Sequence, residues 1–324
     1  MKKEYDVVCI GMINMNLPVK PVDKSVFDVD VTLVDPIKAY PGGDAMNESI
    51  TLARLGNRVA LAGKVGDDDF GKLVLNIAGE AGVDTACVKI SPDDSTSVCI
   101  MLINSSGSRN FASYRGANET FRLEDLDTSI LEKTKIVNIG SMFALKLLDG
   151  SGVTALLKKA RNAGAVTGSD MKFDTYGIGF EGIKSAIPYI DYFMPSYDEA
   201  VYLTGEREPS RMADALLAAG AGAVVIKLGE NGCYIAAEGK RYNIPPCPAV
   251  PIDTTGAGDS FVAGFLTGVA RGWDIESCGW FANAVGSLTI GTVGPTGAVK
   301  SLRQVLDHMK EVNYYNADKI VHLK

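Results

Sequence analysis

The stretch that decides the reading is AVPIDTTGAGDSFVAGFLTGVARG, Ala249 to Gly272. A short strand ends at Asp253, the turn Thr254-Thr255-Gly256-Ala257-Gly258 follows, and a helix with an apolar face begins. Small residues at a helix start leave backbone N–H groups unpaired and pointing outward, with the positive end of the macrodipole behind them. Such a terminus is a ready anion site. Asp259, in the first turn, is either a partner of that dipole or a carboxylate held beside an anion hole. In the second case it can take a proton from a hydroxyl attacking phosphorus.

A second Gly-rich segment, YPGGDAMNESITLARLG, runs from Tyr40 to Gly56. Gly42-Gly43 lets the backbone come close to a ligand at a helix entry, and Asn47 projects from the first turn; an ordinary helix entry carrying an Asn is the alternative. GDDDFGKL, Gly66 to Leu73, has the spacing of a P-loop, but Leu73 stands where a Mg²⁺-binding hydroxyl belongs and three aspartates fill the loop, so it is rejected. No G-x-G-x-x-G follows the first strand, which removes the ordinary dinucleotide fingerprint.

Outward from these motifs, short apolar strands alternate with helical patterns. Strands are expected at Tyr5–Met12, Val59–Lys64, Lys135–Gly140, Ala165–Asp170, Tyr192–Ser196 and Ala223–Gly229. Helices are expected at Ala45–Leu55, Phe70–Ala81, Val153–Ala163, Glu199–Thr204 and Met212–Ala219. This alternation predicts an α/β fold, a mostly parallel sheet with helices on both faces. Lys20–Tyr40, rich in Val, Asp and Pro, breaks the rhythm. So does Thr96–Asn118, which reads as two strands, TSVCIMLIN and NFASYRG, joined by the turn SSGSR. The two interruptions are expected to combine into a small β-sheet beside the main domain. The last dozen residues, NYYNADKIVHLK, give no assignment.

Composition narrows the function classes. With 32 Lys plus Arg against 39 Asp plus Glu, the net charge is −7, which argues against phosphate-backbone binding and so against a nucleic-acid partner. The longest apolar stretch, Ala215 to Ile226, holds 12 residues and two glycines, short of the roughly 18 that a membrane span needs. The N-terminus reads as a first strand and not a signal peptide, because Glu4 and Asp6 sit where its basic region belongs. Six cysteines are scattered without a C-x-x-C pair, which fits reduced thiols in the cytoplasm. The two histidines, His308 and His322, lie in no Gly-rich or acidic context, so a Ser-His-Asp triad or a His-based zinc site is not expected. Carboxylates, backbone amides and Lys or Arg are left to carry the chemistry.

Taken together, D-T-T-G-A-G-D-S-F and PGGDAMN, with VGDDDFG and VVIKLGENGCY in the same order, resemble the PfkB, or ribokinase-like, family of sugar and nucleoside kinases. The likeness runs from about Val7 to Val299. It implies a doubly wound α/β domain (residues 1–12, 41–95 and 119–324) and a small β lid (13–40 and 96–118). By position, Asp259 looks like the catalytic base, and Gly256, Ala257 and Gly258 look like the anion hole for the transferring γ-phosphate of ATP. Lys227, Gly229 and Gly232 fall where the family binds nucleotide, although a strand end with a β-turn also describes them. Asn283 matches an Asn near the adenine, or is an ordinary polar residue on a helix face. Asn16, Gly42, Gly43 and Asn47 are the substrate-binding positions. Arg115 on the lid contacts a phosphorylated substrate, and Lys172 reaches either phosphate or solvent. Glu199 organises Mg²⁺ through water or charges a helix start. Asp253 and Thr255 match positions that hold a monovalent cation such as K⁺, or Asp253 caps the loop. Phe111 and Tyr114 are assigned to the substrate face, to a homodimer contact through the lid, or to lid-core packing.

Two departures stand out. Asn16 occupies the place of an Asp that grips substrate hydroxyls, which loses the charge-assisted bonds of a carboxylate. Ser196 replaces the Asn of the family's N-x-x-E. The implied activity is an ATP-dependent sugar kinase acting on a substrate such as ribose or fructose. A nucleoside kinase of the same fold and a catalytically silent sugar or nucleotide sensor are the alternatives.

Overall fold

The apolar alternation of the first strand divides the interior in two. Val7 and Cys9 face one buried cluster, whereas Val8 and Ile10 face the other, as a period of two requires of a strand covered on both sides. In the computed structural model, which describes residues 3–315, the strands are β1 (Tyr5–Ile10), β2 (Asn14–Val19), β3 (Tyr40–Gly42), β4 (Val59–Gly66), β5 (Val83–Ser91), β6 (Ser97–Ile103), β7 (Arg109–Tyr114), β8 (Thr134–Met142), β9 (Val166–Met171), β10 (Tyr192–Phe193), β11 (Ala223–Lys227), β12 (Cys233–Ala237) and β13 (Lys240–Ile244). Nine of them form one sheet in the order β13-β12-β11-β10-β9-β8-β1-β4-β5. All its pairings are parallel except β11 with β12 and β12 with β13. β1 pairs with β4 through Val7↔Val59 and with β8 through Val7↔Ile136. The chain therefore reverses its direction of growth at β1, which opens a crevice beyond the carboxyl ends of the central strands.

One face of the sheet is covered by the helices Asp44–Arg54, Ala257–Ala270, Ile275–Ile290 and Leu302–Glu311; the other is covered by Ser151–Asn162, Tyr197–Thr204 and Pro209–Ala218. The helices agree with the sequence pattern to within a few residues, and the differences lie in their caps. Ser196 forms a capping box with Glu199, so that helix begins at Tyr197. Pro209 opens the helix that ends at Ala218, a position where its missing N–H costs nothing. Asp68 caps the helix Asp69–Glu80 by accepting from Gly71 N at 2.8 Å, and its other oxygen accepts from Thr96 N at 2.7 Å. The rejected P-loop candidate is thus filled by its own aspartate.

A second sheet, in the order β3-β2-β6-β7, stands beside the first. β6 and β7 are the hairpin read from the sequence, in the register Ile103↔Arg109. The segment Lys20–Tyr40 departs from expectation. The strands lie at its borders, β2 before it and β3 at its end, while the interior holds only the short 3₁₀ turn Lys24–Asp28. Its Asp and Pro residues are poor strand formers, and Phe27 and Leu33 are both 88% exposed. The first strand also ends at Ile10, short of Met12, because the chain crosses to the small sheet at Asn14. Phe111 and Tyr114 are 62% and 57% exposed, so lid-core packing is not their place. All six cysteines are free. No helix among the described residues is long and apolar enough to cross a membrane. The segment from Asn316 on, His322 included, lies outside the described residues.

The helices Ala257–Ala270 and Ile275–Ile290 pack closely at Gly264. A Cβ there would stand 2.9 Å from Ala282 Cα and 2.9 Å from Val285 Cγ2. Alanine at that site gains up to about 1 kcal/mol of helix propensity, so valine is the cleaner probe. Gly264→Val is expected to lower stability by about 1–3 kcal/mol through overpacking, read as a fall in Tm; an unchanged Tm refutes this account of the helix contact.

Candidate active site

Two helix amino termini meet at the crevice. The helix Asp44–Arg54 starts after Gly43, and Ala257–Ala270 starts after Gly256; neither has a side-chain cap. Their first turns are joined across 212 residues by Asn47 Nδ2, which donates to Asp259 Oδ2 at 2.7 Å. Gly256 adopts the left-handed conformation at φ 75°, and a Cβ on it would stand 2.5 Å from Pro295 Cβ, so only glycine fits. The Ala257 N–H is not bare, since it donates to Thr254 O at 3.3 Å.

Asn47 Oδ1 is buried without a partner. Asn16 lies nearby and accepts from Asn14 Nδ2 at 2.7 Å. A Cβ on Gly42 would stand 2.3 Å from Asn16 Nδ2 and 2.6 Å from Asn14 Nδ2; one on Gly43 (φ 93°) would stand 2.2 Å from Met12 O. The glycine pair therefore makes room for the chain's own two asparagines and for the Met12 carbonyl. Arg115 reaches Met12 Sδ at 3.6 Å and Thr175 Oγ1 at 3.4 Å.

The crevice concentrates carboxylates. Lys172 Nζ pairs with the buried Asp44 Oδ1 at 2.9 Å while its side chain stays partly exposed. Lys227 Nζ donates to both oxygens of Asp170 at 2.6 Å and lies 3.7 Å from where a Cβ on Gly258 would be. Glu48 is fully buried, and its Oε2 accepts from Asn138 Nδ2 at 2.8 Å. Burial, reinforced by Asp170, Asp259 and Asp44, pushes the Glu48 carboxyl well above its usual value. Burial likewise raises Asp44 and Asp170 against the pull of Lys172 and Lys227, with the Glu199 charge adding to the rise. Glu199 Oε2 itself accepts from Ser196 N at 2.7 Å, so the helix-start role is realised. Among the described residues, no group of three or more His, Cys, Asp or Glu side chains is arranged to hold a metal ion.

On the other side of the Ala257–Ala270 helix start lies a cavity of about 690 Å³. It is lined by Lys227, Gly229 and Gly232, by Ala257 and Gly258, and by Pro246 and Phe261 among others. Asn283 lines it too, but its Nδ2 already donates to Pro245 O at 3.0 Å and to Tyr314 Oη at 3.2 Å. A second cavity, of about 710 Å³, opens at the opposite ends of the strands beside Arg161 and Asp191 and holds none of these residues.

The Asp253–Thr255 loop carries a contact that the sequence did not predict. Arg109 Nη1, from the tip of the β6–β7 hairpin, donates to Asp253 Oδ1 at 2.6 Å and to Thr255 Oγ1 at 2.5 Å. Burial works to raise the Asp253 carboxyl, but the Gly294 and Thr255 amides, the Thr255 hydroxyl and Arg109 together hold it below the usual carboxylate range.

The structure thus brings Asn16, Gly42, Gly43, Asn47 and Asp259 to one compartment and Lys227, Gly229, Gly232 and Asn283 to the other, with the 256–258 turn between them. Sequence reasoning missed Asn14, Asp44, Glu48 and Asp170. Two of these had a readable signal: Asp170 closes a parallel strand at its carboxyl end, and Glu48 falls on the buried face of an amphipathic helix.

A family model described as pfkB family carbohydrate kinase matches residues 5–302. A probable fructokinase-5 of Arabidopsis thaliana is 28% identical over 285 residues, covering 83% of this chain and 87% of that protein. Among solved structures, the ribokinase of Arabidopsis thaliana, complexed with ribose and ATP, superposes with a TM-score of 0.83 at 24% identity over 96% of this chain and 99% of that one. An Escherichia coli chain solved with ATP and Mg²⁺ reaches 0.82 at 21% identity, over 95% and 99%.

Lys227→Met would leave the Asp170 carboxylate buried without its counter-charge, at an expected cost of about 3–5 kcal/mol in urea denaturation. Adding Asp170→Asn should recover much of that loss. A double variant no more stable than Lys227→Met alone means the pair is not coupled.

Proposed function

The chain belongs to the pfkB family of carbohydrate kinases, and we propose that it moves the γ-phosphate of ATP to a primary hydroxyl of a small free sugar such as ribose or fructose. The observation that carries this reading is the Asn47–Asp259 hydrogen bond at 2.7 Å. It holds a carboxylate at the point where two helix amino termini converge, between a polar compartment and an apolar-walled cavity. The probable fructokinase among its relatives and the ribose and ATP held by solved neighbours support the same donor and acceptor classes.

In this reading Asn14, Asn16 and Asn47 hold the sugar hydroxyls, Gly42 and Gly43 shape their pocket, and Arg115 borders it from the lid. Asp259 accepts the proton of the attacking hydroxyl. A raised pKa is not needed, because in a loose transition state the proton leaves late. The amides at Gly256, Ala257 and Gly258 receive the charge that develops on the transferring group, with the Gly258 end the least committed elsewhere. Preorganised donors of this kind are typically worth several kcal/mol. Lys227, Gly229, Gly232 and Asn283 form the nucleotide side; the Lys227 ammonium, clamped by Asp170 under Gly258, adds fixed positive charge beside the anion hole.

The surplus of carboxylates also fits a hydrated Mg²⁺, held through water by Glu199 near Asp170, since Mg²⁺ keeps most of its waters and relies on one or two carboxylates plus phosphate oxygens. When bound it supplies neutralisation of phosphate charge. The reading includes a homodimer through the lid, supported by the exposure of Phe111 and Tyr114; Phe111→Ser is expected to shift the sedimentation coefficient to that of a monomer, and an unshifted boundary removes the lid contact.

Coupled ADP-release assays over sugars and nucleosides separate a sugar kinase from a nucleoside kinase, and transfer to any of them dismisses the silent sensor. Asp259→Asn is expected to cut kcat by about 10²–10⁴-fold while nucleotide and sugar binding, measured by titration calorimetry, stay close to wild type. A near-normal kcat in that variant removes Asp259 as the base.

A further inference from the structure

The side chains of Asp253 and Thr255 that would face a bound ion are already taken up by Arg109 and by each other. A carboxylate offers about four acceptor positions. Asp253 Oδ1 already receives Arg109 Nη1 at 2.6 Å, Thr255 N at 3.0 Å and Thr255 Oγ1 at 2.7 Å, and Oδ2 receives Gly294 N at 3.0 Å. The Thr255 hydroxyl gives its proton to Asp253 and accepts from the same Arg109 nitrogen at 2.5 Å. Arg109 Nη2 adds a longer contact to Thr254 Oγ1 at 3.3 Å. The donor set that matched a monovalent-cation position therefore does not fit K⁺, because a cation is already there.

The hairpin is built to deliver that cation. Asn104 Oδ1 accepts from Ser106 N at 3.0 Å and Ser108 N at 2.9 Å, and Gly107 turns the chain at φ 84°. Arg109 is the first residue of β7 after this pinned turn and pairs with Ile103, so its guanidinium leaves the lid tip in a fixed direction. The ion pair spans 144 residues and joins the small sheet to the loop before Asp259. Arginine suits the place: its planar fork serves Asp253, Thr255 and Thr254 at once, which a point charge cannot.

We infer that the Arg109 guanidinium is a tethered substitute for a monovalent cation, so that this kinase works without K⁺ and its phosphate-binding loop receives its counter-charge from the lid. The inference rests on the kinase reading above, in that it takes the 253–259 segment as that loop. Arg109 is a positioning residue in this scheme: it holds Asp253 and Thr255, which set the turn at Gly256, and does not touch the reacting atoms. Because it sits on the lid, a lid that lifts withdraws the charge, and the loop is fully set only when the substrate compartment is covered.

The test compares wild type with Arg109→Ala and Arg109→Lys in buffers whose cation is Na⁺, K⁺ or a bulky organic amine. Wild-type turnover and Tm are expected to be the same in all three. Arg109→Ala should lose about tenfold or more in the absence of K⁺, with much of the loss restored by K⁺ or by free guanidinium, and its Tm should rise on adding K⁺. Arg109→Lys should stay closer to wild type and respond less to K⁺. Strong K⁺ activation of wild type overturns the inference. So does an Arg109→Ala variant that is fully active without K⁺, or one whose loss neither K⁺ nor guanidinium repairs, since Arg109 would then act on the substrate directly. If no phosphoryl transfer is found for any of the proteins, the kinase reading fails, but the melting experiment still decides this one. K⁺ must stabilise Arg109→Ala and not wild type; equal or absent shifts refute it.

Discussion

The site depends on a single constraint, the convergence of two uncapped helix starts at the carboxyl edge of a parallel sheet. Each terminus brings unsatisfied N–H groups and a partial positive charge. The Asn47–Asp259 hydrogen bond locks the two first turns together. Neither helix has a capping side chain at this point, and of the amides at 256–258 only that of Ala257 is taken, by Thr254 O. Glycine at 256 is forced by Pro295, so the loop geometry is fixed by packing outside the site.

Charge balance explains much of what surrounds this point. The buried carboxyls of Asp44, Glu48 and Asp170 are raised by burial first, and then by repulsion among themselves and from the charges of Glu199 and Asp259, and Lys172 and Lys227 offset only part of the rise at Asp44 and Asp170. Buried like charges grouped in this way favour cations and hydrogen-bond donors among them. The unpartnered buried oxygens of Asp44, Asn47 and Glu48 lie in this same crevice. Buried polar groups of that kind are uncommon unless a ligand or water completes them.

The small sheet is also tied to the large one by charge. Its hairpin ends in an arginine whose partners belong to the large sheet's loop, so the small sheet is tied to the chemistry by charge as well as by chain connection. The strand that carries this arginine also leaves Phe111 and Tyr114 exposed, one on each of its faces.

The sequence alone was enough for the architecture, because strand and helix periodicities and the two Gly-rich helix entries are local patterns that backbone sterics translate directly into shape. It also placed Asp259, Asn47 and the 256–258 turn in the right kind of element. What it did not contain was distance. The Asp170–Lys227 clamp and Glu48 against Asn138 join residues that no spacing rule relates, and Arg109 read only as a lid residue in a turn. The Asp253–Thr255 pair matched a family cation position, but its actual partner could not be read from the sequence. That was decided by a side chain 144 residues away, since only the folded chain determines which charges are brought within hydrogen-bonding reach of each other.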